Sequence, residues 1–357
     1  MLRHPPTMHA ALWIALATAW VSNTTTVSAS GQNFDPWTQT ARYEFEYRVD
    51  LGALPDGNET RLWIPAPADT ASQSLLSTEI ESPWPHRVNT DAYGNRILFI
   101  EPSSDAHSRN ASPELVARFV VERRPSSGVP ATAAATRPGE PLDPARYLSA
   151  QRTIPLEGLI ADIAGSESRG LESNAEKIRA FYDYVVRTMT YAKHGEGWGY
   201  GDAIWACTSK YGNCTDFHSL FIGMARSQGI AARFLIGFPI GADEVASEVS
   251  GYHCWAEVYE TDRGWFPLDA SEAKRKSQVE AYFGKLPSDR IEFTVGRDLT
   301  LTPPQSGEPV NFFIYPYAEV DGKRVEDVPA SFRYIRFPIE SKSHNAGTDS
   351  PESRPNG

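Results

Sequence analysis

A chain of 357 residues is longer than one hydrophobic core usually serves, so about two domains is the starting expectation. Its 41% apolar, 11% aromatic and 22% charged residues exclude wholesale disorder and a collagen-like fibre. With a net charge of −11 and no Lys/Arg run longer than Lys274-Arg275-Lys276, it lacks a surface suited to nucleic-acid phosphates, and three cysteines are too few for a disulfide scaffold.

Residues 1–29 read as a secretory signal peptide. Arg3 supplies the positive start, residues 10–21 form an uncharged, largely apolar run, and Val27-Ser28-Ala29 offers small residues for cleavage near Ala29. A run of twelve residues spans only about 18 Å of a ~30 Å hydrocarbon layer, too little for an anchor. No cysteine lies near it to carry a lipid, and no later stretch is long and apolar enough to span a bilayer. The mature chain is therefore expected to be secreted or periplasmic, with no stable membrane insertion after cleavage.

Residues 34–123 read as an N-terminal β domain. Tyr43, Phe45, Tyr47 and Val49 alternate at the period of a half-buried strand, and residues 61–64, 96–100 and 115–121 are further β-branched or aromatic runs. Turn signals at Pro55-Asp56-Gly57-Asn58, Pro83-Trp84-Pro85 and Tyr93-Gly94-Asn95 separate them, which predicts a small antiparallel, sandwich-like fold. It carries no chemical motif and reads as support or recognition. Residues 124–144, rich in Pro, Ala, Ser, Thr and Gly, are expected to be a linker to a second domain over 145–338. Within that domain Ile178, Phe181, Tyr182, Val185 and Met189 make one helical stripe, with Ser173 or Asn174 as cap. Residues 339–357 are polar and expected to be a disordered tail.

The chemistry concentrates in residues 198–270. Tyr211-Gly212-Asn213-Cys214-Thr215-Asp216 opens a helix: Asn213 is a good N-cap, and Asp216 stands where a capping box places its acid. Phe217, Leu220, Phe221 and Met224 continue at helical spacing and Gly229 supplies the stop. Cys214 thus falls in the first turn, where the helix dipole and unpaired N–H groups favour thiolate over thiol.

Residues 252–260 and 265–271 read as two strands joined through a turn-rich connection. With a loop of 261–263 and Glu260 opposite Gly264, His253 faces Ser271, and Asp269 is its diagonal neighbour at roughly 7–8 Å between backbones. The same register puts Cys254, Ala256, Val258, Phe266, Leu268 and Ala270 on one apolar face, and a slip by one residue would mix the faces. Cys214, His253 and Asp269, spaced 39 and 16 residues apart, then suit nucleophilic catalysis: His253 takes the thiol proton, Asp269 holds the imidazole, and Cys214 attacks an acyl carbon. The oxyanion needs donors; the Cys214 backbone N–H is one, and Trp198 or Trp205 offers an indole N–H as a second.

The motifs Gly197-Trp198-Gly199-Tyr200-Gly201-Asp202, Tyr211-Gly212-Asn213-Cys214-Thr215-Asp216-Phe217, Gly229-Ile230-Ala231-Ala232-Arg233, His253-Cys254-Trp255-Ala256-Glu257-Val258 and Gly264-Trp265-Phe266-Pro267-Leu268-Asp269-Ala270 together resemble the transglutaminase-like superfamily. The similarity runs over roughly residues 143–317. It implies a papain-like α+β core, a Cys-bearing helix packed on an antiparallel sheet, with Cys214, His253 and Asp269 as the triad. By position, Trp198 resembles the family's oxyanion tryptophan better than Trp205 does. Equivalents of the calcium-binding and barrel domains of animal transglutaminases are not evident.

The rival readings are blander. His218, one turn after Cys214, is taken as a packing or supporting residue; with Cys207, His253 and Cys254 it lacks the short paired spacings of a zinc site, so no metal or cofactor is expected. Free thiols are favoured over a Cys207–Cys254 bridge. Asp216, Arg226 and Arg233 read as a cap and structural charges, and Asn213-Cys214-Thr215 as a sequon too buried in a helix start to accept a glycan. The expectation is thiol-dependent acyl transfer on protein or peptide amides, with a transglutaminase, deamidase or peptidase outcome. A catalytically silent binding or structural module of the cell envelope is the alternative.

Overall fold

The computed structural model of the chain describes residues 34–101, 113–128, 138, 143–241 and 244–337. The expected signal peptide (1–29), the tail (339–357) and most of the linker (124–144) lie outside the described residues. The N-terminal region is all β, with β1 (Ala41–Asp50), β2 (Thr60–Ala66), β3 (Gln73–Glu81), β4 (His86–Thr90), β5 (Arg96–Ile100) and β6 (Glu114–Arg123). Along β1 the expected alternation holds: Tyr43, Phe45, Tyr47 and Val49 are fully buried, while Arg42 and Asp50 are exposed. β3 and β4 escaped the sequence reading because each is the edge of its sheet and mostly polar, so neither shows an apolar period.

The middle of the chain supplies the helices. They are α1 (Leu159–Glu167), α2 (Asn174–Thr188), α3 (Ala203–Ser209) and α4 (Cys214–Ser227), with the two-residue parallel strands β7 (Thr190–Tyr191) and β8 (Tyr211–Gly212) between them. Ser173 caps α2 in a capping box with Glu176, and the stripe from Ile178 to Val185 is buried. The strands β9 (Ala232–Pro239), β10 (Ala246–Glu248), β11 (His253–Glu260) and β12 (Gly264–Leu268) follow, then α5 (Ala270–Lys276) and β13 (Arg290–Val295). The chain closes with β14 (Tyr317–Val320), β15 (Lys323–Val325) and β16 (Ala330–Phe337).

Beside the two-stranded β7-β8 sheet, the described residues form three larger ones, with orders β10-β16-β1-β6-β3, β15-β14-β2-β5-β4 and β12-β11-β9-β13. The last of these, antiparallel throughout, takes α4 on one face and the first sheet on the other. Phe45 and Phe332 of the first sheet meet Phe238 and Phe293 of the third at ring separations of 4.9 and 5.4 Å from Phe45 and 4.5 Å from Phe332 to Phe238. The fold is α+β, as expected. The expected division at 34–123 and 145–338 is corrected at its far end. β16 pairs with β1 over eight positions and β14 pairs with β2, so the last strands complete the N-terminal sheets instead of the sheet that carries α4. A strand joins whichever edge leaves its ladder satisfied, and that partner can be far away in sequence. Ser126, at the start of the expected linker, likewise exchanges two backbone hydrogen bonds of 2.8 Å with Leu286.

The two halves also meet through buried polar groups. Gln73 donates from Nε2 to the Glu292 carbonyl and accepts from the Glu292 N–H, both at 2.9 Å, beside the bulge that interrupts the β13–β9 ladder. Its side chain thus supplies β13 with the contacts of a neighbouring strand. Among the described residues no helix is long and apolar enough to cross a membrane.

Candidate active site

Cys214 is the first residue of α4, and the local sequence explains why. Asn213 accepts from the Thr215 N–H at 2.8 Å, while the Asp216 carboxylate reaches back to the Asn213 N–H at 2.9 Å, closing a capping box. At the other end Ile230 N–H bonds to Ala225 C=O and Gly229 N–H to Arg226 C=O, a Schellman motif that needs the left-handed φ of +73° at Gly229. Every residue from Cys214 to Arg226 is buried. The helix is therefore a rigid central rod with the sulfur at its positive end.

The β11–β12 hairpin has the expected register, Glu260 opposite Gly264 and Val258 opposite Phe266. The expected second strand over 265–271 is corrected: it stops at Leu268, and Asp269 becomes the N-cap of α5. The signal for this was Asp269-Ala270-Ser271-Glu272, an acidic cap followed three residues later by Glu. Consequently Ser271 does not lie across the ladder from His253. The His253 imidazole still meets Asp269, with Nε2 2.6 Å from Oδ2. Arg290 Nη1 donates to the same oxygen at 3.0 Å, while Ser271 Oγ and the Glu272 N–H each donate to Oδ1 at 2.9 Å. Asp269 is fully buried with both oxygens occupied, which fixes its rotamer.

Nε2 of His253 is taken by Asp269, leaving Nδ1 as the ring nitrogen available to the Cys214 thiol. Burial opposes ionisation of Cys214, but hydrogen bonds from Cys254 and His253 and the His253 charge outweigh it and hold the thiol well below its ordinary range. For His253, burial is overcome by the Asp269 charge and hydrogen bond, which raise it to about 10. Both shifts favour a resting thiolate–imidazolium pair. Asp269 follows the same logic: burial pushes its carboxyl up, His253 and Arg290 pull it well below the usual carboxylate range.

His218 and Cys254 support this arrangement. His218 Nδ1 donates to the Cys214 carbonyl at 2.7 Å and Nε2 accepts from the Ala270 N–H at 3.2 Å, so its neighbours require the neutral Nδ1–H tautomer. Cys254, expected only as a core-facing hydrophobe, lies 3.8 Å from Thr215 Oγ1 and 3.8 Å from His218 Nδ1. All three cysteines are free, with no Cys207–Cys254 bridge. Arg226 bonds the Ala232 and Ser149 carbonyls and Arg233 pairs with Glu257, each tying neighbouring elements together. Among the described residues no group of three or more His, Cys, Asp or Glu is arranged to hold a metal ion.

The loop before α3 is held against α4. Asp216 accepts from the Gly199 N–H at 2.7 Å and the Gly201 N–H at 3.0 Å. From the other side Arg297 Nη2 donates to the Tyr200 and Gly201 carbonyls at 3.1 and 3.2 Å. The approach at Gly201 is so close that a Cβ there would sit 2.6 Å from Ser219 Oγ. Trp198 is half-buried in this loop beside Gly199, whereas Trp205 packs edge-on against Tyr211 at 5.1 Å. Tyr252, not singled out by sequence, bonds Asn213 Nδ2 and Thr215 Oγ1 through its hydroxyl, each at 3.0 Å. Neither Tyr252 nor Arg290 stands in a local pattern that announces such a role.

A family model described as the transglutaminase-like superfamily matches residues 161–270, which contain Cys214, His253 and Asp269. An uncharacterized protein of Haemophilus influenzae is 29% identical over 341 residues, 82% of this chain and 89% of that protein. A provisionally named cysteine protease from Cytophaga hutchinsonii has a similar crystal structure, with a TM-score of 0.54 at 14% identity over 85% of this chain and 93% of that one. At that identity the likeness concerns the fold.

Proposed function

Since residues 161–270 match the transglutaminase-like superfamily, we propose that the chain is a thiol-dependent acyl-transfer enzyme that acts on protein or peptide amides through a thioester at Cys214. The observation that carries this reading is the buried His253–Asp269 pair, with the carboxylate 2.6 Å from the imidazole, together with Cys214 at the start of α4 and the influence of its sulfur on the His253 ring. The Cys214 thiolate attacks the amide carbon. The oxyanion that develops is stabilised by the Cys214 backbone N–H at the helix start, with the Trp198 indole as the second donor. The His253 imidazolium then gives its proton to the leaving nitrogen, and the C–N bond breaks to leave the thioester.

In the second half-reaction neutral His253 takes a proton from the incoming nucleophile. Water gives hydrolysis, seen as deamidation or peptide cleavage; a primary amine gives a new amide. Asp269 keeps the ring in the tautomer needed for both steps and stabilises the imidazolium. No cofactor takes part. The expected signal peptide puts this activity in the periplasm or outside the cell.

The test has two parts. Iodoacetamide at neutral pH should label wild type at Cys214 and leave Cys214→Ala unlabelled, because burial raises the Cys207 and Cys254 thiols above their ordinary range. Equal labelling of the two proteins, at the rate of an ordinary thiol, would sink the enzymatic reading. Mass spectrometry of a glutamine-containing donor peptide, with and without a primary amine, then separates side-chain hydrolysis, amine incorporation and backbone scission.

A further inference from the structure

Beyond the triad's imidazole, one permanently cationic residue bears on Asp269. Of the four donors to the Asp269 carboxylate, Ser271 Oγ and the Glu272 N–H belong to its own helix start and are neutral. The fourth, Arg290, comes from β13 on the edge of the catalytic sheet, is 3% exposed, and lies over the Trp255 ring at 5.3 Å. Without it, a thiolate, an imidazolium and a carboxylate buried together carry a net charge of −1, which a low-dielectric interior strongly disfavours. With it, the four groups sum to zero.

We infer that Arg290 is a positioning residue and the counter-charge of the triad: by neutralising Asp269 it allows Cys214 to rest as a thiolate opposite the His253 imidazolium. This builds on the reading of Cys214 as nucleophile. The other charges around the sulfur are already matched. On α4, Asp216 is held by three backbone N–H groups and faces Arg297, and His218 is neutral. On α5, Glu272 pairs with Arg275 and with Lys276, the latter at 3.0 Å. Tyr191, Tyr252 and Tyr315, which also face Cys214, are uncharged at neutral pH because burial raises each hydroxyl, and so is the Cys254 thiol. Asp289 approaches Arg290 at Nε, at 3.6 Å, and not at the Nη1 that holds Asp269.

The test is the pH dependence of Cys214 alkylation by iodoacetamide, which reads the thiolate directly and needs no substrate. In Arg290→Gln the midpoint should rise by roughly one pH unit, and Arg290→Lys, which keeps the charge, should bring it back towards wild type. A folded Arg290→Gln with the wild-type midpoint overturns the inference while leaving the nucleophile intact. Absence of a low midpoint in wild type itself would instead sink the functional reading. Should Arg290→Gln fail to fold because the Asp269 charge is left unmatched, Asp269→Asn/Arg290→Gln, which removes both charges, should recover the fold as read by circular dichroism. A double variant that also fails to fold overturns the counter-charge role.

Discussion

The carboxylate of Asp216 and the backbone amide of Gly199, 17 residues earlier, share a hydrogen bond of 2.7 Å deep in the protein. With the Gly201 and Asn213 amides on the same carboxylate, one side chain both starts the nucleophile's helix and fastens the loop that carries Trp198. Burial nevertheless raises this carboxyl to about 6 against those three donors. Its folded value lies above its unfolded one, so its contribution to stability is complete below about pH 4 and is lost as the pH climbs through about 6. Two pKa units correspond to about 3 kcal/mol. Urea titrations of wild type and Asp216→Asn from acid to neutral pH should therefore show wild type losing up to ~3 kcal/mol relative to the variant. A difference that stays constant with pH would mean that Asp216 titrates as it does in the unfolded chain.

His218 should give the opposite slope. Burial lowers its imidazole below the ordinary value, and its two neighbours require the neutral ring. Its contribution is present above the unfolded value of about 6.5 and declines as the pH falls through the lower folded value. In His218→Leu the Cys214 carbonyl and the Ala270 N–H lose their partners, which costs about 1–3 kcal/mol for each buried group. Denaturation across the acid range should show that loss largest at neutral pH and shrinking as wild type itself is titrated.

Within the triad, acylation and stability should separate. His253→Ala removes the base and is expected to slow acylation by ~10²–10⁴-fold, read by burst kinetics on an activated acyl donor. Asp269→Asn should slow it as well. Because Asp269 also pairs with buried Arg290, this variant should in addition lose stability, where His253→Ala should lose less. Equal melting temperatures for the two variants would contradict the charge pairing with Arg290.

Two glycines with left-handed backbones distinguish strain from collision. Gly201, at φ +64°, has Ser219, Thr215 and Arg297 within 2.8 Å of where a Cβ would stand. Gly229, at φ +73°, faces open space. Gly229→Ala should cost only the left-handed penalty, about 1–2 kcal/mol. Gly201→Ala should add about 1–3 kcal/mol of overpacking and displace the loop, lowering activity as well as stability. Thermal melts paired with alkylation rates resolve the two effects.

Much of this molecule follows from short-range rules visible in the residues themselves. Helix α4 is announced by Asn213, Asp216 and Gly229, α2 by Ser173 and Glu176, and the β11–β12 register by its alternating apolar face, because caps act within four residues and strand faces repeat every two. The same rules, carried one step too far, extended a strand through Asp269 where the cap of α5 begins. Only the folded chain decides that β16 returns to β1, that Arg290 reaches Asp269 from a separate strand, and that Cys254 and Tyr252 border the sulfur. Those contacts join residues whose spacing follows no period. They depend on which sheet edge remained open and on which buried charge still required an opposite one, and such conditions arise only when the whole interior is assembled.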